Sequence, residues 1–189
     1  VIYSYRSEDV FSLLKTGLTG LGENEISELE NYVYLWDIKG IAWKYEFTKN
    51  PEGFSEDISE SSREVLDSVN KSREYVIGAI TKFQSRSKNN SVLEICKALY
   101  GVLKDLSADK RLKELAIKLS EDNKTALAEE QGKIWDMLMD ILDKLVLVAG
   151  DKTVSLTEFY KLFNLMVTSE DLGTIPIGLD NVQLGSADR

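Results

Sequence analysis

The chain has 189 residues, of which 43% are hydrophobic and 29% are charged, a balance typical of a folded domain with one continuous core. The net charge of −9 argues against a general polyanion-binding surface, and the lack of histidine together with the single cysteine, Cys96, excludes an internal disulfide and a four-cysteine metal site. No apolar run approaches the ~20 residues of a membrane span, and the first residues, VIYSYR, do not resemble a signal peptide, so we expect a cytoplasmic protein without a membrane partner.

Apolar residues at helical spacing run along most of the chain. The only prolines are Pro51 and Pro176, and because a proline inside a helix costs about 3 kcal/mol, the stretch between them can hold long helices. Apolar positions there recur every three or four residues, which indicates helices rather than strands. We predict an all-α bundle of about seven helices, at 8–16, 23–39, 57–87, 91–107, 109–122, 125–149 and 155–169. The tail, 175–184, is predicted to be extended because its Ile-Pro start cannot continue a helix.

Capping residues mark several of the predicted ends. Ser91 with Glu94 and Ser155 with Glu158 have the spacing of a capping box, in which side chains bind the free N–H groups of a first turn. Three glycines that follow apolar runs are predicted to be left-handed residues just beyond a helix: Gly17, Gly40 and Gly150. No repeat or low-complexity linker divides the chain, so we expect one helical domain at 1–171 and an extended tail at 172–189.

Short motifs with catalytic or metal-binding spacing are incomplete. Residues 151–159 resemble the second half of an EF-hand loop, but apolar residues stand where calcium needs oxygen ligands. Asp37 and Lys39 have the spacing of a nuclease half-site without a second acidic residue on a neighbouring strand. Cys96 lies on an apolar helical stripe, which favours a buried structural thiol over a nucleophile. We therefore predict no catalytic, cofactor-binding or metal-binding residue in this chain.

Charge is distributed unevenly along the sequence. Residues 1–62 carry a net −7, residues 63–118 a net +5 and residues 119–189 a net −7. Two interpretations of the basic middle stay open: a solvated face whose cations pair with the acidic flanks, or a local patch that contacts phosphates. The segment 82–90 is interpreted as a loop between helices. The candidate DNA-contacting residues are Lys82, Arg86, Lys88, Lys110, Arg111 and Lys113.

Three segments resemble a known protein family. Val10–Leu18 (VFSLLKTGL) and Glu28–Trp43 (ELENYVYLWDIKGIAW) resemble segments of AddB, the B subunit of the bacterial AddAB ATP-dependent helicase–nuclease. The tail from Ile175 (IPIGLDNVQLGSADR) resembles the strand with which that subunit re-enters its second helicase-like core domain. These matches cover about a third of the chain, and the middle, 52–171, is similar to the variable helical insertion of the family without a residue-by-residue match.

The resemblance implies a helical subdomain, like the 2B insertion of helicases, within a subunit that processes double-strand breaks for recombination. The parent family is similar to users of ATP, Mg²⁺ and an iron–sulfur cluster, but this chain contains no phosphate loop, helicase acidic motif, nuclease carboxylate set or cluster cysteines. We therefore expect an inactive, architectural piece that contacts an AddA-type partner subunit or duplex DNA. The competing interpretation is an unrelated all-α interaction or regulatory module.

Overall fold

Helices make up nearly all of the regular structure. A computed structural model describes residues 5–55 and 58–169. Its elements are α1 (Ser7–Leu14), α2 (Glu23–Leu35), a 3₁₀ helix (Gly40–Lys44), α3 (Glu60–Ser87), β1 (Asn90–Ser91), α4 (Val92–Asp105), α5 (Ala108–Glu121), α6 (Thr125–Ala149), β2 (Thr153–Val154) and α7 (Leu156–Ser169). The predicted all-α class is confirmed. The predicted extended tail lies outside the described residues, so the boundary between 1–171 and 172–189 stays a prediction.

Helix α2 ends at Leu35, earlier than its apolar pattern predicted. The N–H of Ile38 donates to the carbonyl of Val33 at 2.9 Å, which is the long hydrogen bond of a Schellman motif. Its left-handed residue is Asp37, at φ +49°, and not the predicted Gly40. Gly40 is also left-handed, at φ +57°, but begins the 3₁₀ helix. A non-glycine residue therefore closes this helix, because an aspartate tolerates the left-handed region better than most side chains.

Both predicted capping boxes begin helices, but only one is complete. In the box at α7, Ser155 donates its N–H to Glu158 Oε2 at 2.8 Å and its Oγ accepts the Glu158 N–H at 3.2 Å. In the box at α4, the Oγ of Ser91 accepts the Glu94 N–H at 3.3 Å, while the Ser91 N–H donates to the side chain of Asn90. The sequence signal thus identified each helix start.

The other two predicted C-terminal glycines differ from each other. Gly17 is left-handed at φ +72°, as predicted. Gly150 was predicted wrongly, because its φ of −50° is right-handed and it continues the turn of α6. A Cβ at Gly150 would lie 2.5 Å from the carbonyl oxygen of Val146, so glycine is needed there for space and not for handedness.

A two-residue antiparallel ladder, which the sequence did not predict, joins the turn before α4 to the turn before α7. Asn90 pairs with Val154 and Ser91 with Thr153. The adjacent N–H of Val92 donates to the carbonyl of Lys152 at 3.0 Å. The ladder therefore ties two connections that are distant in sequence.

The first core lies between α1, α2, the 3₁₀ helix and the first two-thirds of α3. Trp43 is completely buried at its centre, with the rings of Phe11 and Phe47 at 5.9 and 6.0 Å. Its indole N–H donates to Ser7 Oγ at 3.3 Å, and its carbonyl accepts from the buried guanidinium of Arg73 at 3.4 Å. Aromatic packing and buried hydrogen bonds therefore fix this core.

The second core lies between α4, α6, α7 and the last turns of α3. It is largely aliphatic, with Ile95, Ile141 and Leu145 buried, and it also contains the buried rings of Phe83 and Phe159. Helix α5 packs along the first half of α6, outside this core. Helix α3 contributes to both cores and so connects the two halves of the domain.

Candidate nucleic-acid interface

Two of the first three candidate cations lie on α3 and not in a loop. Lys82 and Arg86 lie on its last turns, and Lys88 is the residue directly after the helix. The helix continues through this polar stretch because Phe83 and Ser87 are buried, and the Ser87 hydroxyl donates to the Phe83 carbonyl at 2.6 Å. The interpretation of 82–90 as an inter-helix loop was therefore wrong for 82–87.

Lys82 and Arg86 are one helical turn apart and lie beside α4. The Lys82 ammonium forms an ion pair with Asp105 at 3.0 Å, in which both side chains are substantially exposed. Arg86 lies beside Gly101, since its guanidinium would be 3.9 Å from a Cβ at that glycine. Within the described ranges, no ion pair involves Arg86 or Lys88. These two exposed cations are therefore available to an external anion.

Arg111 contributes to the structure of the domain. Its Nε donates to the carbonyl of Thr19 at 2.9 Å, and one terminal nitrogen donates to the carbonyl of Leu21 at 3.3 Å. The other terminal nitrogen pairs with Glu114 at 2.8 Å. These contacts explain why a cation stands in the first turn of α5, where it opposes the helix dipole. The guanidinium fastens α5 to the connection between α1 and α2.

Lys110 and Lys113 are exposed on the same turn of α5. Neither forms an ion pair within the part of the chain that the structure describes. Arg111 contacts the 19–21 turn, whereas Lys82 pairs with Asp105 at the end of α4. The role of both predicted trios in DNA contact stays a prediction.

A charged pair links the end of α4 to the start of α5. Lys104 Nζ lies 2.5 Å from Asp109 Oδ2, and Asp109 is buried. This hydrogen bond from Lys104 lowers the pKa of Asp109 and raises the pKa of Lys104. The second carboxylate oxygen of Asp109 is buried without a hydrogen-bond partner. The Lys104 ammonium is thus paired with a carboxylate of the domain, whereas Arg86 forms no ion pair within the described residues.

Arg73 is a buried cation that our sequence reasoning did not select. Its guanidinium is almost completely buried and donates to Asn70 Oδ1 at 3.1 Å and to Glu74 Oε1 at 3.3 Å. The signal was present, since Arg73 lies among the inward-facing positions of α3, between Val69 and Val76. A charged residue on an apolar stripe needs buried partners, and here carbonyl and amide oxygens supply them.

The remaining sequence motifs form local structure. Cys96 is buried, and burial raises the pKa of its thiol to about 11, with a smaller contribution from Asp143. This confirms the interpretation of a structural thiol. Asp37 and Lys39 form an exposed ion pair with each other at 2.6 Å. Among residues 5–55 and 58–169, no group of three or more acidic, cysteine or histidine side chains could hold a metal ion.

The known proteins that resemble this chain share one name across several bacteria. The chain is 35% identical over its whole length to the B subunit of the ATP-dependent helicase/deoxyribonuclease of Clostridium acetobutylicum, of which it covers 17%. It is 34% identical over 96% of its length to the equivalent protein of a Thermoanaerobacter species, and 32% identical over 98% to that of Clostridioides difficile. The chain is related to one segment of helicase/deoxyribonuclease B subunits. The predicted resemblance to AddB is confirmed, and it extends through the middle, 52–171, that individual motifs did not align.

The match is to a piece of these B subunits. The chain spans about a sixth of the length of the curated relatives that it matches. No family model matches the chain. Within the described residues, no helix is both long enough and apolar enough to cross a membrane. The B-subunit similarity therefore identifies the ancestry of this helical domain, and the activity of the whole protein is a separate question.

Proposed function

We propose that this chain is a non-catalytic helical domain of an ATP-dependent helicase/deoxyribonuclease B subunit that acts in double-strand break processing and recombinational repair. The observation that carries the proposal is the similarity over the whole chain to one segment of such subunits. The domain would correspond to a 2B-like helical insertion whose tail leads back into a helicase-like core. We infer a cytoplasmic location and an AddA-type partner subunit from the same relationship.

The chemistry of the described residues supports an architectural role. The buried thiol of Cys96 has a raised pKa, so it is a poor nucleophile at neutral pH. The exposed carboxylate of Asp37 is neutralised by its neighbour Lys39. The ATP, Mg²⁺ and iron–sulfur chemistry of the parent family would therefore belong to other parts of the subunit, and this domain would position DNA or a partner.

A chimeric protein tests this proposal. The present chain replaces the corresponding segment of the Clostridium acetobutylicum subunit, to which it is 35% identical, and the purified complex is assayed for ATP-dependent deoxyribonuclease activity. We expect activity within about tenfold of the natural complex, because homologous domains preserve their contacts. A matched chimera carries Trp43→Ala, which empties the centre of the first core and should abolish assembly or activity.

Two outcomes would contradict the proposal. An assembled chimera without activity would show that this chain does not perform the role of the segment. Activity that survives the Trp43→Ala change, with the variant domain unfolded by circular dichroism, would show that the segment is dispensable. The isolated chain should neither hydrolyse ATP nor cut DNA, and turnover that depends on Asp37 would show that a catalytic site had been missed.

An apolar surface on the second core favours a protein contact as a second role for the domain. Leu147 and Val148 on α6 are 86% and 69% exposed, and Tyr160 and Leu165 on α7 are both 63% exposed. Contiguous exposed apolar residues mark contact surfaces in soluble proteins, and Leu147 and Val148 are adjacent in the chain. Replacement of Leu147 and Leu165 by Ser should weaken assembly of the chimeric complex without lowering the thermal stability of the isolated chain. Unchanged assembly would exclude this surface from the contact.

A further inference from the structure

A tight turn that precedes α3 holds a phenylalanine out into solvent. Phe54 is 86% exposed, and its ring meets the edge of the Trp36 ring, with centroids 5.1 Å apart and planes at 75°. Trp36 itself packs against the first core. We call residues 50–55 the Phe54 turn. Most of the phenylalanine ring stays in water in the described part of the chain, although burial of such a ring is strongly favourable.

The backbone of the Phe54 turn is fixed by Asn50. The side chain of Asn50 is buried, its Oδ1 accepts the N–H of Glu52 at 3.0 Å, and its Nδ2 donates to the carbonyl of Ser55 at 3.2 Å. Its carbonyl accepts the indole N–H of Trp36 at 3.1 Å and the N–H of Gly53 at 3.2 Å. Gly53 has a φ of +120°, which residues with a side chain rarely adopt. The exposed ring is therefore held in place before a partner binds, so little conformational freedom is lost on binding.

The sequence around the Phe54 turn is acidic. Residues 50–60 include four carboxylates and no cation. Glu52 in the turn and Glu60 at the start of α3 are both exposed. An acidic surface repels phosphates and favours a basic partner. The basic end of α3 lies 28 residues further along the helix, about 42 Å away at a rise of ~1.5 Å per residue, so a contact at one end leaves the other end free.

We propose that the Phe54 turn anchors the domain to the partner subunit. The Phe54 ring enters an apolar pocket of that subunit, and cations around the pocket pair with Glu52 and Glu60. This inference rests on the proposed function and specifies a surface through which the domain meets its partner. The relatives are named as B subunits, which implies a second subunit. Aromatic side chains that fill a pocket of the partner contribute much of the binding free energy at protein interfaces.

Substitution of Phe54 in the chimeric B subunit tests the anchor. The chimera is titrated with the purified AddA-type partner subunit of Clostridium acetobutylicum, and Kd is measured by biolayer interferometry. Phe54→Ser should weaken binding about tenfold or more, whereas Phe54→Leu, which keeps an apolar side chain, should retain most of the affinity. Tyr45→Ser is the matched control, because Tyr45 is an aromatic residue of the same half that is 66% exposed and lies outside the turn. It should change Kd by less than about twofold.

The charge around the turn provides an independent test. Glu52→Lys should weaken binding about threefold to fivefold at low salt, mainly through slower association, and this loss should shrink as salt rises. Glu121→Lys makes the same change at an exposed position on α5 and should alter binding by less. The effect of Phe54→Ser should persist at high salt, because salt does not screen the burial of an apolar ring.

The outcomes separate this inference from the proposed function. Unchanged subunit binding in Phe54→Ser, or an equal loss in Tyr45→Ser, would overturn the anchor and leave the proposed function intact if the chimera is active. Failure of the unaltered chimera to bind the partner subunit would overturn both. A Phe54 ring that merely covers Trp36 would give a lower melting temperature in Phe54→Ser with unchanged subunit binding. Loss of self-association in Phe54→Ser, again with unchanged subunit binding, would identify a second copy as the occupant and overturn the contact with the partner subunit.

Discussion

The two cores of this domain are built differently. The first is centred on Trp43 and is fixed by buried polar contacts, such as the indole hydrogen bond to Ser7 and the Arg73 guanidinium on the Trp43 carbonyl. The second is aliphatic, and its outer helices expose large apolar residues such as Leu147 and Leu165. Large apolar side chains are exposed on both halves, since Ile41 and Tyr45 beside the first core are 62% and 66% exposed. The two cores therefore differ in what fixes them: buried aromatic and polar contacts in the first, and mainly the packing of aliphatic side chains in the second.

The largest expected effect is loss of the first core. Trp43→Ala should lower the free energy of unfolding by about 3–5 kcal/mol, because the change leaves a cavity and removes the ring contacts with Phe11 and Phe47. Urea denaturation measures the change. Trp36→Ala is the control, since Trp36 is only partly buried, and an equal loss in both variants would contradict a first core centred on Trp43.

Truncation in the second core should cost less. Leu142→Ala removes a buried side chain of α6 and should lower the free energy of unfolding by about 2–4 kcal/mol. Because the buried residues of this core lie mainly on α4, α6 and α7, we expect hydrogen exchange to accelerate in these helices while the amides of α2 and the first half of α3 keep their protection. Uniform acceleration in all helices would show that the two cores unfold together.

Sequence patterns predicted the helices well because each one buries a continuous apolar stripe. The predicted helix ends were less accurate, because the conformation of one residue can end a helix. Asp37, a left-handed aspartate, ends α2 in place of the expected glycine. The 90–91 and 153–154 ladder has too few residues for a strand pattern. The contact between the Arg73 guanidinium and the Trp43 carbonyl was not predictable, because it combines residues of α3 and the 3₁₀ helix that only the tertiary fold brings together.

The hydrogen bonds that fasten α5 to the connection between α1 and α2 should contribute less to the free energy of unfolding than the packing of either core. Arg111→Gln removes the charged hydrogen bonds to the carbonyls of Thr19 and Leu21, so the free energy of unfolding should fall by about 1–2 kcal/mol. Lys113→Gln, on the same turn and exposed, should change it by less than about 0.5 kcal/mol. Equal effects of the two substitutions would show that the Arg111 contacts do not fasten α5.

The smallest expected effect is a dependence on pH at the α4–α5 junction. Since the Lys104 hydrogen bond lowers the pKa of Asp109, the carboxylate stabilises the fold above its unfolded pKa of about 4 and loses this effect as the pH falls through its folded pKa. The stability difference between the unaltered chain and Asp109→Asn should therefore be larger at about pH 6 than at about pH 3, by thermal denaturation. A difference that does not change with pH would contradict the lowered pKa.

The salt dependence of duplex binding tests the central claim, that the basic end of α3 contacts DNA phosphates, most directly. Binding of the 189-residue chain should be weak, at about 10⁻⁴ M or poorer, and should fall linearly on a log–log plot against salt. In the triple variant Lys82→Glu, Arg86→Glu and Lys88→Glu, the slope should decrease by roughly one unit for each phosphate that the protein no longer neutralises. A slope and affinity unchanged from the unaltered chain would contradict the account and identify this end of α3 as an ordinary solvated face.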